Sequence, residues 1–261
     1  MSDPNEGREP ENEERAPERP ADRRYGISFV TVIARAWRYY RDGFGPLLRL
    51  SLVATSLLYG ANLVLLTDLS EGTQDTLVYV LQGLLPPFAY SLAFAVVASI
   101  HHHEDLDDPV LANTAFREVR SNLRPLISIA LVASAASVLM AQLSGLLLFA
   151  LLYGPPILIQ VAAVESLGLQ PAWQRTKTLM SRAWGRTILH LITVMLGLSI
   201  LANASIGTAL AIASGLDDST RTGVYLVTLG LFLTLGMPFL ASAQFVLYAE
   251  RRAELGTGGA G

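Results

Sequence analysis

The run PLISIALVASAASVLMAQLSGLLLFALLYGPPILIQVAAV, Pro125 to Val164, carries no charged side chain in 40 residues. As one helix at about 1.5 Å per residue it would extend roughly 60 Å, twice the ~30 Å hydrocarbon core of a bilayer. The stretch therefore reads as two membrane-spanning helices folded into a hairpin. Its expected turn is Gln142 to Gly145, where Gln, Ser and Gly interrupt the Leu, Val and Ala pattern.

Composition agrees. Apolar residues make up 51% of 261 positions and charged residues 16%, against about 25% charged in soluble domains. Mean hydropathy is positive, at +0.41. Six spans are expected, at about 46–67, 76–100, 125–142, 145–164, 188–214 and 223–248. The expected fold is thus an all-α integral membrane protein, with six transmembrane helices arranged as three hairpins. The first 24 residues are rich in Glu, Arg and Pro with no apolar core, so residues 1–24 read as a disordered cytoplasmic arm rather than a signal peptide. Residues 25–250 form the expected membrane domain, and 251–261 a flexible cytoplasmic tail.

Basic residues set the orientation. Of the 19 Lys and Arg, all except Arg49 and Arg221 lie in the N-terminal stretch through Arg41, the 101–124 and 165–187 loops, or the tail. The opposite loops hold Asp68, Glu71, Asp75, Asp217 and Asp218 around Arg221. The positive-inside rule then puts both termini in the cytoplasm of a multi-pass plasma-membrane protein. The net charge of −3 averages these two sides and is a poor guide to partners. Cysteine is absent, which excludes disulfides and thiolate metal sites.

A two-faced cytoplasmic helix is expected ahead of each odd-numbered span. The first sets Phe29, Ile33, Trp37, Tyr40 and Phe44 against Arg35, Arg38, Arg41 and Asp42. The second, with Asp108 as N-cap and Pro109 first, sets Leu111, Ala112, Ala115, Phe116, Val119 and Leu123 against Asn113, Arg117, Arg120 and Ser121. The third, starting at Pro171, sets Ala172, Trp173, Leu179, Met180, Ala183 and Trp184 against Gln174, Arg175, Ser181 and Arg182. Short basic helices with aromatic apolar faces suit the headgroup plane.

The units also share letters. Trp37-Arg38-x-x-Arg41, Pro46-Leu47 and Leu52-Val53-Ala54 align without a gap on Phe116-Arg117-x-x-Arg120, Pro125-Leu126 and Leu131-Val132-Ala133. A weaker third copy shares Arg182, Leu189, Leu191 and Val194. Each even-numbered span holds proline (Pro86-Pro87, Pro155-Pro156, Pro238), with Ser91, Gln160 or Ser242 four residues on. Two readings stand: kinks bordering a polar cavity lined by those three side chains, or ordinary interhelical hydrogen bonding. Ala133, Ser137 and Ala141, and Ser205, Ala209 and Ala213, form small-residue stripes that read as packing seams.

Chemistry-bearing groups are sparse. His101, His102, His103, Glu104, Asp105, Asp107 and Asp108 form the only cluster of metal-ligand character, and a solvated exit from the membrane is the expected reading in preference to a metal. His190 and Arg49 sit just inside span boundaries, where a structural role is expected. No nucleophile elbow, phosphate loop, zinc-protease helix or carboxylate dyad occurs. No catalytic residue, cofactor site, metal site or nucleic-acid partner is therefore expected.

The segment Glu165-Ser166-Leu167-Gly168-Leu169-Gln170-Pro171-Ala172, continuing through Arg175, Leu179, Arg182, Trp184 and Arg186, resembles the E-G-L-G-P-x-x-A-L-x-x-S boundary of a broad prokaryotic family of six-span membrane proteins. One branch forms the membrane domain attached to glycerophosphoryl diester phosphodiesterases, and others stand alone. Ile27-Ser28-Phe29, Ala34 through Arg41, and Phe44-Gly45-Pro46-Leu47 resemble the family's first helix. The likeness covers roughly residues 27–250, with Pro171 displaced by two positions and Thr176 where serine is usual. It implies membrane architecture and a link to phospholipid metabolism, and it carries over no catalytic residue, since no counterpart of the phosphodiesterase barrel is expected in this sequence.

Two functions follow as expectations. The first is a non-enzymatic protein engaging anionic membrane lipids or partner proteins through Arg35, Arg38, Arg41, Arg117, Arg120, Arg175 and Arg182. The second is a transporter or channel for a small amphiphile, using proline-kinked helices 2, 4 and 6 around Ser91, Gln160 and Ser242. Neither fixes an oligomeric state.

Overall fold

The computed structural model describes residues 28–64, 85–105, 112–141, 157–181 and 183–257. Among them every regular element is helical. Helix α1, Phe29–Asp42, starts at Ser28, whose hydroxyl oxygen accepts the Thr31 amide at 3.2 Å and satisfies one of the open N-terminal donors. It stops at Gly43, where an added Cβ would meet Tyr39 O at 3.2 Å and the Leu47 side chain at 3.3 Å. Glycine permits this corner, and α2 follows at once as Phe44–Val64.

Then come α3, Leu85–Asp105, α4, Ala112–Ser121, and after a turn at Asn122, α5, Leu123–Ala141. Helix α6 covers 157–164 and α7 covers Leu169–Met180. Between them Ser166 takes the left-handed backbone (φ 52°), the position that the E-G-L-G pattern gives to glycine. The Leu167 amide then reaches back to Ala162 O at 3.3 Å and closes the end of α6.

Helix α8, Trp184–Ile212, ends in the 3₁₀ turn Ala213–Gly215, and α9 runs from Asp218 to Thr257. Asp217 caps α9. Hydroxyls of Ser219 and Thr220 and the Thr220 amide donate to its carboxylate and hold its pKa down to about 2.

Helix α9 organises the rest, packing against α1, α2, α3, α7 and α8. Residues 240–248 are buried without interruption. Ala241, Ser242 and Ala243 let neighbouring backbones approach, while Phe245, Leu247 and Tyr248 fill the space between helices. A helix apolar on every side is stable only where it is surrounded, by protein or by lipid.

Two stretches, Trp184–Gly215 and Asp218–Leu255, are long and apolar enough to cross a membrane. Only 22% and 33% of their most apolar windows are buried, so neither resembles the covered core helix of a soluble domain. Leu189, Leu196, Ile200 and Leu201 on α8, and Val227, Leu231 and Leu235 on α9, are exposed.

The expected spans 188–214 and 223–248 correspond to α8 and α9, and 46–67 and 125–142 match α2 and α5 as far as these are described. Spans 76–100 and 145–164 are described only in their later parts. The Gln142–Gly145 turn, the arm 1–24, Asp108, Pro109, Pro155-Pro156 and Arg182 lie outside the described residues.

Four expectations need correction. The tail does not begin at 251: α9 continues to Thr257, because Arg251 is buried and bonded to Thr187 and Glu254. The third cytoplasmic helix begins at Leu169, two residues before Pro171, whose missing amide costs nothing in a first turn. The buried face of α1 centres on Val32 and Ala36, with Trp37 55% exposed and Phe44 also exposed. Small side chains allow α1 to lie close on α9, and the bulky aromatics are displaced to the edge. The Ser205 stripe is no continuous seam either: Ser205 is exposed, bonding back to Leu201 O, and of its three residues only Ala213 is buried.

Since Ala36 is fully buried on the docked face of α1, Ala36→Leu should destabilise the fold by about 1–3 kcal/mol through overpacking. Denaturant unfolding in detergent micelles checks this, with the exposed Val30→Leu as the neutral control.

Candidate functional site

The arginines of the short helices divide into two groups by their partners. Arg35 on α1 lies 3.5 Å from Glu250 on α9. Arg41 pairs with its neighbour Asp42 at 3.0 Å. Arg175 on α7 donates its Nε–H to both oxygens of Glu165, at 3.0 and 3.3 Å. These three charges are already compensated. Arg38 on α1 and Arg117 and Arg120 on α4 are exposed and make no ion pair among the described residues. Spacing along a helix could not separate the two groups, because the carboxylates come from distant sequence.

Glu118 fixes α4 in its orientation. Its Oε2 accepts from Ser99 Oγ at 3.0 Å and lies 2.8 Å from His103 Nε2, both on α3. With Ala115 and Val119 buried, this clamp turns Arg117 and Arg120 outward. Partial burial pushes the Glu118 pKa up, but the His103 and Ser99 bonds and the nearby histidine charges outweigh it and leave the carboxyl below its usual value.

The His101–His103 run does not converge on one point. His101 is fully buried, lies against Tyr39 and Phe245, and meets Ser242 Oγ at 2.9 Å through Nε2. Ser242 donates its own proton to Pro238 O at 2.9 Å, so its oxygen accepts and His101 carries hydrogen on Nε2. His103 instead faces Glu118. Among the described residues no group of three or more His, Cys, Asp or Glu is arranged to hold an ion.

Ser91, Gln160 and Ser242 are all buried. Ser242 is engaged as above. The Gln160 amide is 0% exposed, and neither its nitrogen nor its oxygen has a hydrogen-bond partner. The small cavity beside Pro238, about 10 Å³, is lined by Ser51, Tyr90 and apolar neighbours and by none of the three.

Two interior ties were not legible in the sequence. Tyr248 on α9 donates to Glu165 Oε1 at 3.0 Å, joining the α6–α7 corner to the central helix through the same carboxylate that holds Arg175. Arg251, 3% exposed, donates to Thr187 at 3.1 Å. His190 is buried one turn further along α8, its ring 5.9 Å from Phe29, while Arg49 is exposed. Glu165 and Arg175 did stand within the recognisable boundary segment, which was the only available signal.

The Glu118 clamp should be sensitive to acid. A carboxyl whose folded pKa is lowered stabilises above its unfolded value, and the contribution disappears as pH falls through the folded value. The protection of α4 amides, corrected for the intrinsic pH dependence of exchange, should therefore fall as the pH is lowered below the ordinary carboxylate range. In Glu118→Gln, exchange should be fast already at neutral pH. Equal α4 exchange in both proteins at neutral pH would contradict the clamp.

The chain matches no family model, no curated protein and no solved structure.

Proposed function

We propose that this chain is a non-enzymatic, multi-pass membrane protein that engages anionic lipid headgroups through Arg38, Arg117 and Arg120. The observation that carries the reading is the division among the arginines, since these three are exposed without a carboxylate partner while Arg35, Arg41 and Arg175 are paired. A basic residue near an anionic surface contributes about 1 kcal/mol, so the three together supply up to about 3 kcal/mol of bias toward such lipids.

The reading includes six spans in three hairpins, with both termini cytoplasmic. Two features support it. The breaks between short and long helices fall at Gly43 and Asn122, equivalent positions in the gapless alignment. The single basic residue of the 213–221 connection, Arg221, lies 3.5 Å from Asp218 and is compensated there. The resemblance to the membrane domain attached to glycerophosphoryl diester phosphodiesterases accords with a lipid-facing role. The transport reading has one observation in its favour, the unbonded Gln160 amide, and against it stands the closed pairing of Ser242 with His101.

Lipid co-purification tests the proposal. The triple variant Arg38→Gln, Arg117→Gln, Arg120→Gln should lose most of its preference for phosphatidylglycerol over phosphatidylcholine. Arg175→Gln should lose stability instead, with the preference retained. An unchanged preference in the triple variant would overturn the reading. For topology, a reporter fused at Asp217 should be active only on the outer side, and cytoplasmic activity there sinks the orientation.

A further inference from the structure

An apolar groove of about 470 Å³ lies between α2 and α3 where α4 joins α5. Leu50, Val53 and Ala54 form one wall, and Ala89, Leu92, Ala93 and Val96 the other. Val119, Arg120 and Leu123 close its end. Along α3 the lining runs from Val96 to Ala89, roughly 10 Å at about 1.5 Å per residue. Its volume lies within the ~300–1,000 Å³ usual for small-molecule sites.

The lining carries one charged side chain, Arg120, at the end nearest the cytoplasmic helices. Arg120 is exposed and makes no ion pair among the described residues, and Glu118, the one carboxylate of α4, is engaged by Ser99 and His103. Val53, 60% exposed, leaves the groove open to the surroundings of the helix bundle. A long apolar trough capped by one uncompensated cation suits a ligand with the complementary order of groups: one anion, then hydrocarbon.

We propose that the groove holds one acyl chain of an anionic phospholipid, with Arg120 on its phosphate. This rests on the reading of α2 and α3 as membrane spans. It goes beyond headgroup attraction by assigning a defined chain site, where the methylene groups exchange lipid contacts for Leu92, Val96 and Val53 while the phosphate remains at the membrane surface. An anion at Arg120 alone would leave the trough unexplained, and a zwitterionic lipid would bring its own ammonium beside the Arg120 cation and lose part of the attraction at the phosphate.

Photo-crosslinking in nanodiscs tests the assignment, using phosphatidylglycerol and phosphatidylcholine that carry the same diazirine acyl chain. Phosphatidylglycerol should label the peptide containing Ala89, Leu92 and Val96 about fivefold more than phosphatidylcholine, the ratio that about 1 kcal/mol from one basic residue gives. Arg120→Gln should reduce this labelling to the phosphatidylcholine level. Val53→Trp, which blocks the mouth from an exposed position, should abolish it for both lipids while the protein keeps its overall preference for phosphatidylglycerol. Ala89→Leu, a smaller obstruction, should reduce it in the same sense. Equal labelling by the two lipids, or labelling unaffected by Val53→Trp, overturns the groove assignment. If co-purification still favours phosphatidylglycerol in that case, the surface reading survives without it. If co-purification shows no preference for the anionic lipid, the surface reading fails independently.

Discussion

Enclosure of the second half of α9 is the constraint on which the other helices depend. Residues 240–248 are all buried, and along its length α9 packs against five other helices. Where lipid surrounds helices there is little hydrophobic gain in pressing one against another, so association relies on close packing and on polar ties. The sequence meets that demand with Ala241, Ser242 and Ala243 at the points of close approach, and with Phe245 and Tyr248 as fillers. Polar bonds then tie the packing together: His101 to Ser242, Tyr248 to Glu165 and Arg251 to Thr187. Each joins α9 to a different neighbour, so α9 cannot move without breaking several of them.

The same economy decides which charges face outward. Glu250 and Glu165 each compensate an arginine from a short helix, and Glu118 engages a histidine. A compensated arginine is a structural element, since pairing consumes the attraction it would otherwise exert on an anionic surface. What remains for recognition is the small set without partners. Among the expected contact arginines that set is Arg38 on α1 with Arg117 and Arg120 on α4, and Arg49, Arg124, Arg186 and Arg252 are likewise exposed with no ion pair among the described residues.

Much of this was legible in residue order. The long uncharged run required helices, and the two-faced stretches at 29–42, 112–121 and 169–180 appear as separate short helices. Other features were invisible for definite reasons. The docked side of α1 follows Val32 and Ala36 rather than Trp37, because close approach to α9 rewards small side chains and periodicity registers only apolar character. Helix α9 overruns its expected end because Arg251, a terminator by charge, is ion-paired with Glu254 in its own helix and donates a hydrogen bond to Thr187 on α8. The histidine run read as a solvated exit, whereas His101 is fully buried against Ser242 and His103 faces Glu118, partners that lie far away in sequence.

The sequence alone determined the helical class, the apolar spans and the asymmetry of basic residues, since each depends on local composition and on the transfer energy of side chains. Tertiary structure decided which arginines are free, where His101 and Gln160 are buried, and that an apolar groove ends at Arg120. Those facts depend on pairings between residues up to 215 positions apart, such as Arg35 with Glu250, and no local pattern encodes a partner at that distance.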